Sequence, residues 1–390
     1  MEQHNMNSID ACASHYGDQA DEMRRYLVEG EQAAYKLDNR GPIRFAPDGR
    51  LADDILDAYS RYGFYVFESV LGEKELEDIT QDLDAMRASF PTGPGSAVTS
   101  AGNPALGADS VAPSLLWSKP LGDPLGGTDL ARGRHQVKLI EPEAAEDAPT
   151  EAPFILLGSL RFSEACLRVY GHPQLLQVAE SINGSDFAPF NESLFIKDPG
   201  VGAAVSWHQD GDTHWDSENF DEGIHGFNFM AQVYGSTAVN GVWVLPGSHK
   251  LGKLDITELV KTAGSERIEG AVPLVCNAGD VVICNRQLVH GSFPNSGFEP
   301  RLTVNFGFHR RSSVLDVTGA GIHNDVMIYD STLIEQRSRV IGYAIDARSK
   351  RYPEETPYQY QPFVKSGKEY AWTEEAKAGL RDYNLQDLSI

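Results

Sequence analysis

With 390 residues, 41% of them hydrophobic, and a formal net charge of −23, the chain has enough apolar material for a packed core and is not a disordered polypeptide. So acidic a surface repels nucleic acid and anionic membranes and excludes a partner that tracks phosphates. No run reaches the roughly 18 apolar residues of a membrane span, the N-terminus lacks a basic and apolar secretory pattern, and Cys12, Cys166, Cys276 and Cys284 show no CxxC pairing, so we expect a cytoplasmic protein with structural thiols.

Taken in chain order, the polar residues 1–50 predict a helical extension, with one helix over Asp21 to Lys36. Apolar residues at helical spacing predict helices at Leu51 to Tyr59 and Gly72 to Ser89, with a strand at Gly63 to Glu68 between them. Residues 91–150 are rich in turn formers (Pro91-Thr-Gly-Pro-Gly-Ser, Gly122-Asp-Pro-Leu-Gly-Gly) and end in an acidic, Ala/Pro-rich stretch. A loop of that length in a compact protein predicts a functional lid. Helix is predicted again from Leu157 to Glu180. Short strands follow at Glu192 to Lys197, Ala203 to His208, Gly226 to Tyr234, Gly241 to Leu245, Gly279 to Cys284 and Leu302 to Phe308. Their Gly/Pro/Asn turns and the lack of βαβ alternation predict a sandwich or barrel and not a doubly wound sheet. Residues 313–390 predict Tyr- and Pro-rich loops and a polar helix near Thr373 to Arg381, packed on the domain formed by residues 51–312.

Three His-x-Asp triplets occur: His208/Asp210, His214/Asp216 and His323/Asp325. Residues i and i+2 of a strand share a face, so each pair could reach one metal. His323 has no later histidine to complete a set, and His214 sits in a very polar loop, whereas His208 ends an apolar strand-like run. A second such run delivers His290, Ser292 follows two residues later, and Arg301 opens the next strand. Two imidazoles and a carboxylate are the ligand set of a non-haem Fe(II) site with one open face. An arginine nearby suits the distal carboxylate of a dicarboxylic co-substrate.

Several strings extend this pattern: Tyr62-Gly-Phe-Tyr-Val-Phe-Glu-Ser-Val-Leu71, Lys197-Asp-Pro-Gly200, Trp207-His-Gln-Asp210, Asn240-Gly-Val-Trp-Val-Leu-Pro-Gly-Ser-His-Lys250, Gly279-Asp-Val-Val and His290-Gly-Ser-Phe-Pro-Asn-Ser, with Arg301. Over roughly Arg61 to Arg311 the chain resembles the phytanoyl-CoA dioxygenase-like (PhyH) branch of Fe(II)/2-oxoglutarate oxygenases. The resemblance implies an α+β protein with a mainly β core, a double-stranded β-helix (jelly roll, cupin-like) with flanking helices. It implies Fe(II) on His208, Asp210 and His290, and 2-oxoglutarate on Arg301 with Ser292 and Asn228 beside it. Asn191, Ser193 and Phe195 share the face of a strand that looks toward the metal in relatives, and with His214 they are candidates for the substrate pocket. Trp207, Phe195, Phe229 and Met230 are candidates for an apolar wall around the metal, and His249 for a structural role.

The activity implied is hydroxylation of an unactivated C–H in a small molecule (an amino acid, a compatible solute or a natural-product intermediate), using O2 and releasing succinate and CO2. Asp210 is a carboxylate where related halogenases have lost one, which favours oxygen insertion. Desaturation or cyclisation by the same cofactors, or a non-catalytic cupin-like binding protein, are the alternatives. Residues 91–150 and those after Arg311 match no part of the family pattern, so the acyl-CoA substrate is not carried over.

Overall fold

The period-two segments pair into two sheets that face each other. The computed structural model describes residues 2–321, 325–383 and 387–390. Strands β1 (Arg40–Gly41), β2 (Phe64–Phe67), β3 (Leu115–Ser118), β4 (Ala152–Leu157) and β5 (Ala188–Lys197) belong to the large sheet, and β6 (Val205–His208) opens the small one. Then follow β7 (Phe227–Gln232), β8 (Trp243–Val244), β9 (Val272–Pro273), β10 (Val281–Asn285), β11 (His290–Ser292) and β12 (Arg301–His309). The large sheet runs β1-β2-β10-β7-β12-β5-β4-β3 and the small one β6-β11-β8-β9. Apart from the parallel pair β1–β2, the pairings are antiparallel. This is the jelly roll that the sequence leads one to expect.

Alternation decides what each sheet buries. On β7, Phe227 and Phe229 enter the outer core of the large sheet with Phe306 and Phe308 of β12, while Asn228 and Met230 line the cavity between the sheets. Helices cover the outer face: α3 (Asp53–Tyr62), α4 (Glu73–Ala88) and the segments Glu164–Tyr170, Pro173–Asn183 and Ser331–Arg351 contribute to that core. The N-terminal helices α1 (Glu2–Ser14) and α2 (Ala20–Ala34) cover the small sheet instead, where Cys12, Met23 and Leu27 pack with Trp207, Trp243 and Phe293. Tyr26 stacks on Trp243 at 4.4 Å, and Gly30 lets the helix approach so closely that a Cβ would lie 2.3 Å from the indole.

Three expectations change. The helix expected from Leu157 to Glu180 is three short helices, and the apolar run before it is strand β4. Short apolar runs are ambiguous between the two states, and only pairing with β3 and β5 resolves this one. The loop-like region 91–150 contains β3, and Glu141, where its acidic stretch begins, pairs with Lys119 and Lys138 and accepts from the Asp123 amide. The C-terminal loops give way to a 21-residue helix, Ser331–Arg351, capped by the Asp330 side chain; its Ile334, Ser338, Ile341 and Ala344 fall on one buried face. The polar helix near Thr373 spans Glu374–Gly379. The four cysteines are buried and free. Among the described residues no helix is long and apolar enough to cross a membrane.

Candidate metal centre

The motif Trp207-His-Gln-Asp210 sends alternate side chains to opposite sides. Trp207 leaves the cavity and donates from its indole to Glu266 O at 2.7 Å. His208 enters the cavity. Gln209 turns away and clamps a neighbouring loop, donating to Gly252 O and Gln287 O and accepting from the Leu254 amide. Asp210 enters again, although β6 has ended; its amide donates to Arg286 O at 2.8 Å, which keeps the chain in register. Gly211 then turns at φ +90, where a Cβ would meet the His225 ring at 2.5 Å, so only glycine serves there.

His290 arrives from β11, directly opposite His208 in the β6–β11 ladder, with ring centroids 4.1 Å apart. Each imidazole is oriented by a backbone carbonyl: His208 Nδ1 lies 2.9 Å from Ser206 O and His290 Nδ1 2.8 Å from Leu288 O. A hydrogen on Nδ1 leaves the Nε2 lone pair free as a ligand. His208 Nε2 is 3.7 Å from Asp210 Oδ1 and His290 Nε2 4.0 Å from Asp210 Oδ2. Among the described residues these three form the only group of His, Cys, Asp or Glu whose donors all lie within 4.8 Å of one another. Two nitrogens and a carboxylate at that spacing fit a divalent iron. The motif Pro246-Gly-Ser-His249 supports the centre from behind: Ser248 Oγ accepts from the Val289 amide, next to His290, and His249 Nε2 lies 3.0 Å from Ser60 O, away from the cavity.

The electrostatics favour an ionised carboxylate and a neutral His208 ring. Burial alone would raise the Asp210 carboxyl, but Arg286, Arg134 and the two imidazoles outweigh it and hold it well below the usual range. Burial, reinforced by His290 and His135, keeps the His208 ring neutral.

Arg301 lies on the facing sheet. Its Nε donates to Thr303 Oγ1 at 3.0 Å, which in turn donates to Gln232 Oε1 at 2.9 Å, and its Nη1 donates to Asn240 O at 3.2 Å. The family-like Asn240-Gly string is therefore part of the arginine's mount. Arg301 is 3% exposed, and among the described residues no carboxylate pairs with it. Burial lowers its pKa to about 10. Ser292 Oγ accepts from the buried Lys197 Nζ at 2.9 Å. Asn228 Nδ2 donates to Asp210 Oδ2 at 3.3 Å, and its Oδ1 has no hydrogen-bond partner.

Of the other sequence candidates, Asn191, Ser193, Phe195 and Met230 line the cavity. His214 is not brought to it: the loop after Gly211 carries its ring against His225, with centroids 5.9 Å apart. Trp207 and Phe229 are core residues, because strand alternation turns them outward. His323 lies outside the described residues. The wall residues not foreseen from the sequence include four polar or charged ones: Arg134 and His135 from the 91–150 region, and Asp387 and Ser389 from the C-terminal segment. The His135 ring lies 4.1 Å from that of His208, and its Nδ1 3.1 Å from Ser206 O. No local motif marks these four; only the docked segments bring them in.

The family model described as Phytanoyl-CoA dioxygenase (PhyH) matches residues 59–303. A comparison with curated proteins finds no match. Among solved structures the chain is similar to EctD from S. alaskensis with 2-oxoglutarate and 5-hydroxyectoine, at 19% identity and TM-score 0.47 over 70% of this chain and 81% of that one. It is similar to AviO1 from Streptomyces viridochromogenes Tue57, at 18% identity and TM-score 0.45 over 66% and 94%. It is also similar to the non-heme alpha-ketoglutarate-dependent epimerase SnoN from nogalamycin biosynthesis, at 16% and 0.42 over 67% and 82%. At these values none of the three transfers a substrate.

Proposed function

Because the chain belongs to the phytanoyl-CoA dioxygenase (PhyH) family of Fe(II)/2-oxoglutarate oxygenases, we propose that His208, Asp210 and His290 hold its iron and that the reaction is hydroxylation of an unactivated C–H in a small molecule. The observation that carries this reading is the convergence of those three donors, within 4.8 Å of one another, in a cavity that also holds Arg301. Bound together, Fe(II), 2-oxoglutarate and O2 supply the oxidising power to break such a bond, with succinate and CO2 as co-products.

The chain's own residues do the rest. Arg301, fixed by Thr303 and Asn240, receives the distal carboxylate of 2-oxoglutarate and sets its orientation. Ser292 and Asn228 stand beside that path, each already oriented by one hydrogen bond. Phe195 and Met230 furnish an apolar wall, which keeps water from the reacting centre. The 91–150 region serves as the lid: Leu125, Ala131, Arg134 and His135 close one side of the cavity.

The test is direct. Purified protein loaded anaerobically with Fe(II) and 2-oxoglutarate develops a weak visible metal-to-ligand charge-transfer band. Iron-loaded, folded protein without that band would refute the assignment of the site. Succinate release across a metabolite panel then finds the substrate, and product mass separates oxygen insertion from the loss of hydrogen expected for desaturation or cyclisation.

A further inference from the structure

Arg134 approaches the centre from the lid and donates from Nη1 to Asp210 Oδ1 at 3.0 Å. It is presented by an unusual turn: Ala131, Arg132 and Gly133 all have positive φ, +48, +58 and +66. Two of these are not glycine, and left-handed backbone costs such residues about 1 kcal/mol or more each. Among the described residues the other side-chain hydrogen bond of the arginine runs from its Nε to Ala131 O, within the same turn.

Asp210 has a second guanidinium neighbour. Arg286 Nε is 3.7 Å from Oδ2, but Arg286 is immobilised: its side chain is wholly buried, Nη1 donates to His225 O at 3.0 Å, and the Phe190 ring lies 4.0 Å away. Arg134 is the partner with room to move, its side chain 17% exposed at the cavity. A carboxylate that shares its oxygens with a divalent cation has less charge to give a guanidinium, and the cation itself repels it. A dianionic co-substrate held by Arg301 would offset the metal's charge from the other side of the cavity and would not itself need Arg134. Asp387, the other acid on the wall, is shared with the charges of Arg337 and Arg286. Loading the site therefore loosens the hold of Asp210 on Arg134 and turns guanidinium donors toward the cavity. Leu125, Ile155, Leu157, Phe195, Met230 and Val242 form the apolar part of the wall of the same cavity.

We propose that Arg134 is the substrate-recognition residue and that the substrate is a small carboxylic acid with an apolar body, its carboxylate held by the Arg134 guanidinium. This rests on the iron and 2-oxoglutarate reading above. A planar bidentate donor suits a carboxylate, and a local cation is what lets an anion enter a protein of net charge −23.

The experiment uses wild type, Arg134→Gln and Arg134→Lys, each loaded anaerobically with Fe(II) and 2-oxoglutarate, with the charge-transfer band recorded first. Absence of the band in wild type would count against the underlying reading and not against Arg134. The loaded proteins are then titrated with matched probes (hexanoate and hexanamide, cyclohexanecarboxylate and its amide, phenylacetate and its amide), following the shift of the band and the melting temperature. In wild type the acids act at concentrations at least about tenfold lower than the amides. Arg134→Gln abolishes that preference while still loading iron and 2-oxoglutarate as read by the charge-transfer band, and Arg134→Lys retains part of it. Equal response to acids and amides in wild type, no response to either, or an unchanged preference in Arg134→Gln would overturn the proposal. So would loss of iron from Arg134→Gln, which would make Arg134 a positioning residue for Asp210.

Discussion

Arg301 stands directly opposite Lys197 in the β5–β12 ladder, so two basic side chains, 3% and 1% exposed, are buried side by side. Among the described residues neither has a carboxylate ion-pair partner, and burial drives the Lys197 ammonium toward its neutral form. An unpaired buried guanidinium is costly, and replacing it with an apolar side chain of similar size commonly stabilises a protein. Arg301→Met should therefore raise the melting temperature of the protein free of 2-oxoglutarate. The same change should raise the KM for 2-oxoglutarate by about tenfold to a hundredfold, since a charge-assisted bidentate contact is worth about 1.5–3 kcal/mol. Calorimetry with and without 2-oxoglutarate checks both; a variant less stable without co-substrate and unchanged in KM would show that Arg301 is a structural cation.

His208→Ala and His290→Ala should each lose iron while retaining native far-UV dichroism. Both rings are held by backbone carbonyls and are not needed as core filling. Metal content after anaerobic loading and desalting is the measurement. Stoichiometric iron in either variant would move the centre elsewhere.

Glu192 is a buried residue of β5, and its carboxylate accepts from Ser159 Oγ and from the Leu160 amide. Burial pushes its pKa up from 4.5 to about 7. A raised carboxyl favours the protonated form in the fold, so its contribution is complete below the unfolded value and is lost as pH rises through the folded one. Glu192→Gln mimics the protonated state. Its stability relative to wild type should climb between about pH 4.5 and about pH 7, by an amount on the order of 1–3 kcal/mol. A difference independent of pH would show that Glu192 does not titrate in this range.

Gly30→Ala tests how tightly α2 is docked. Alanine raises helix propensity by about 1 kcal/mol, but here its Cβ would collide with Trp243, whose strand β8 pairs with the strand of His290. Overpacking of that kind costs about 1–3 kcal/mol, so we expect net destabilisation in chemical denaturation. A stabilised variant would mean that the helix shifts freely on the small sheet.

Two of the strands that carry candidate site residues were legible because each couples a period-two apolar run to a polar residue at one end, His208 on β6 and Arg301 on β12. His290 does not fit that form: the apolar run before it is β10 of the large sheet, and His290 opens the separate three-residue strand β11 of the small one. Strand β4 was not legible: Ala-Pro-Phe-Ile-Leu-Leu157 runs into a helical segment, and nothing local separates the two. The helix Ser331–Arg351 did carry a signal, the spacing of Ile334, Ser338, Ile341 and Ala344, but polar residues between them diluted it.

By itself the sequence determined the donor types, their order and the alternation that pairs His208 with Asp210, because backbone geometry makes strand periodicity a local property. Only the tertiary structure decided which side of each strand became cavity and which became core, admitting Met230 and turning Trp207 and Phe229 outward. It also decided that Arg134 reaches Asp210, 76 positions away, and that Asp387 closes the far wall. Contacts of that range depend on how whole segments dock, and no local pattern encodes where a distant segment will come to rest.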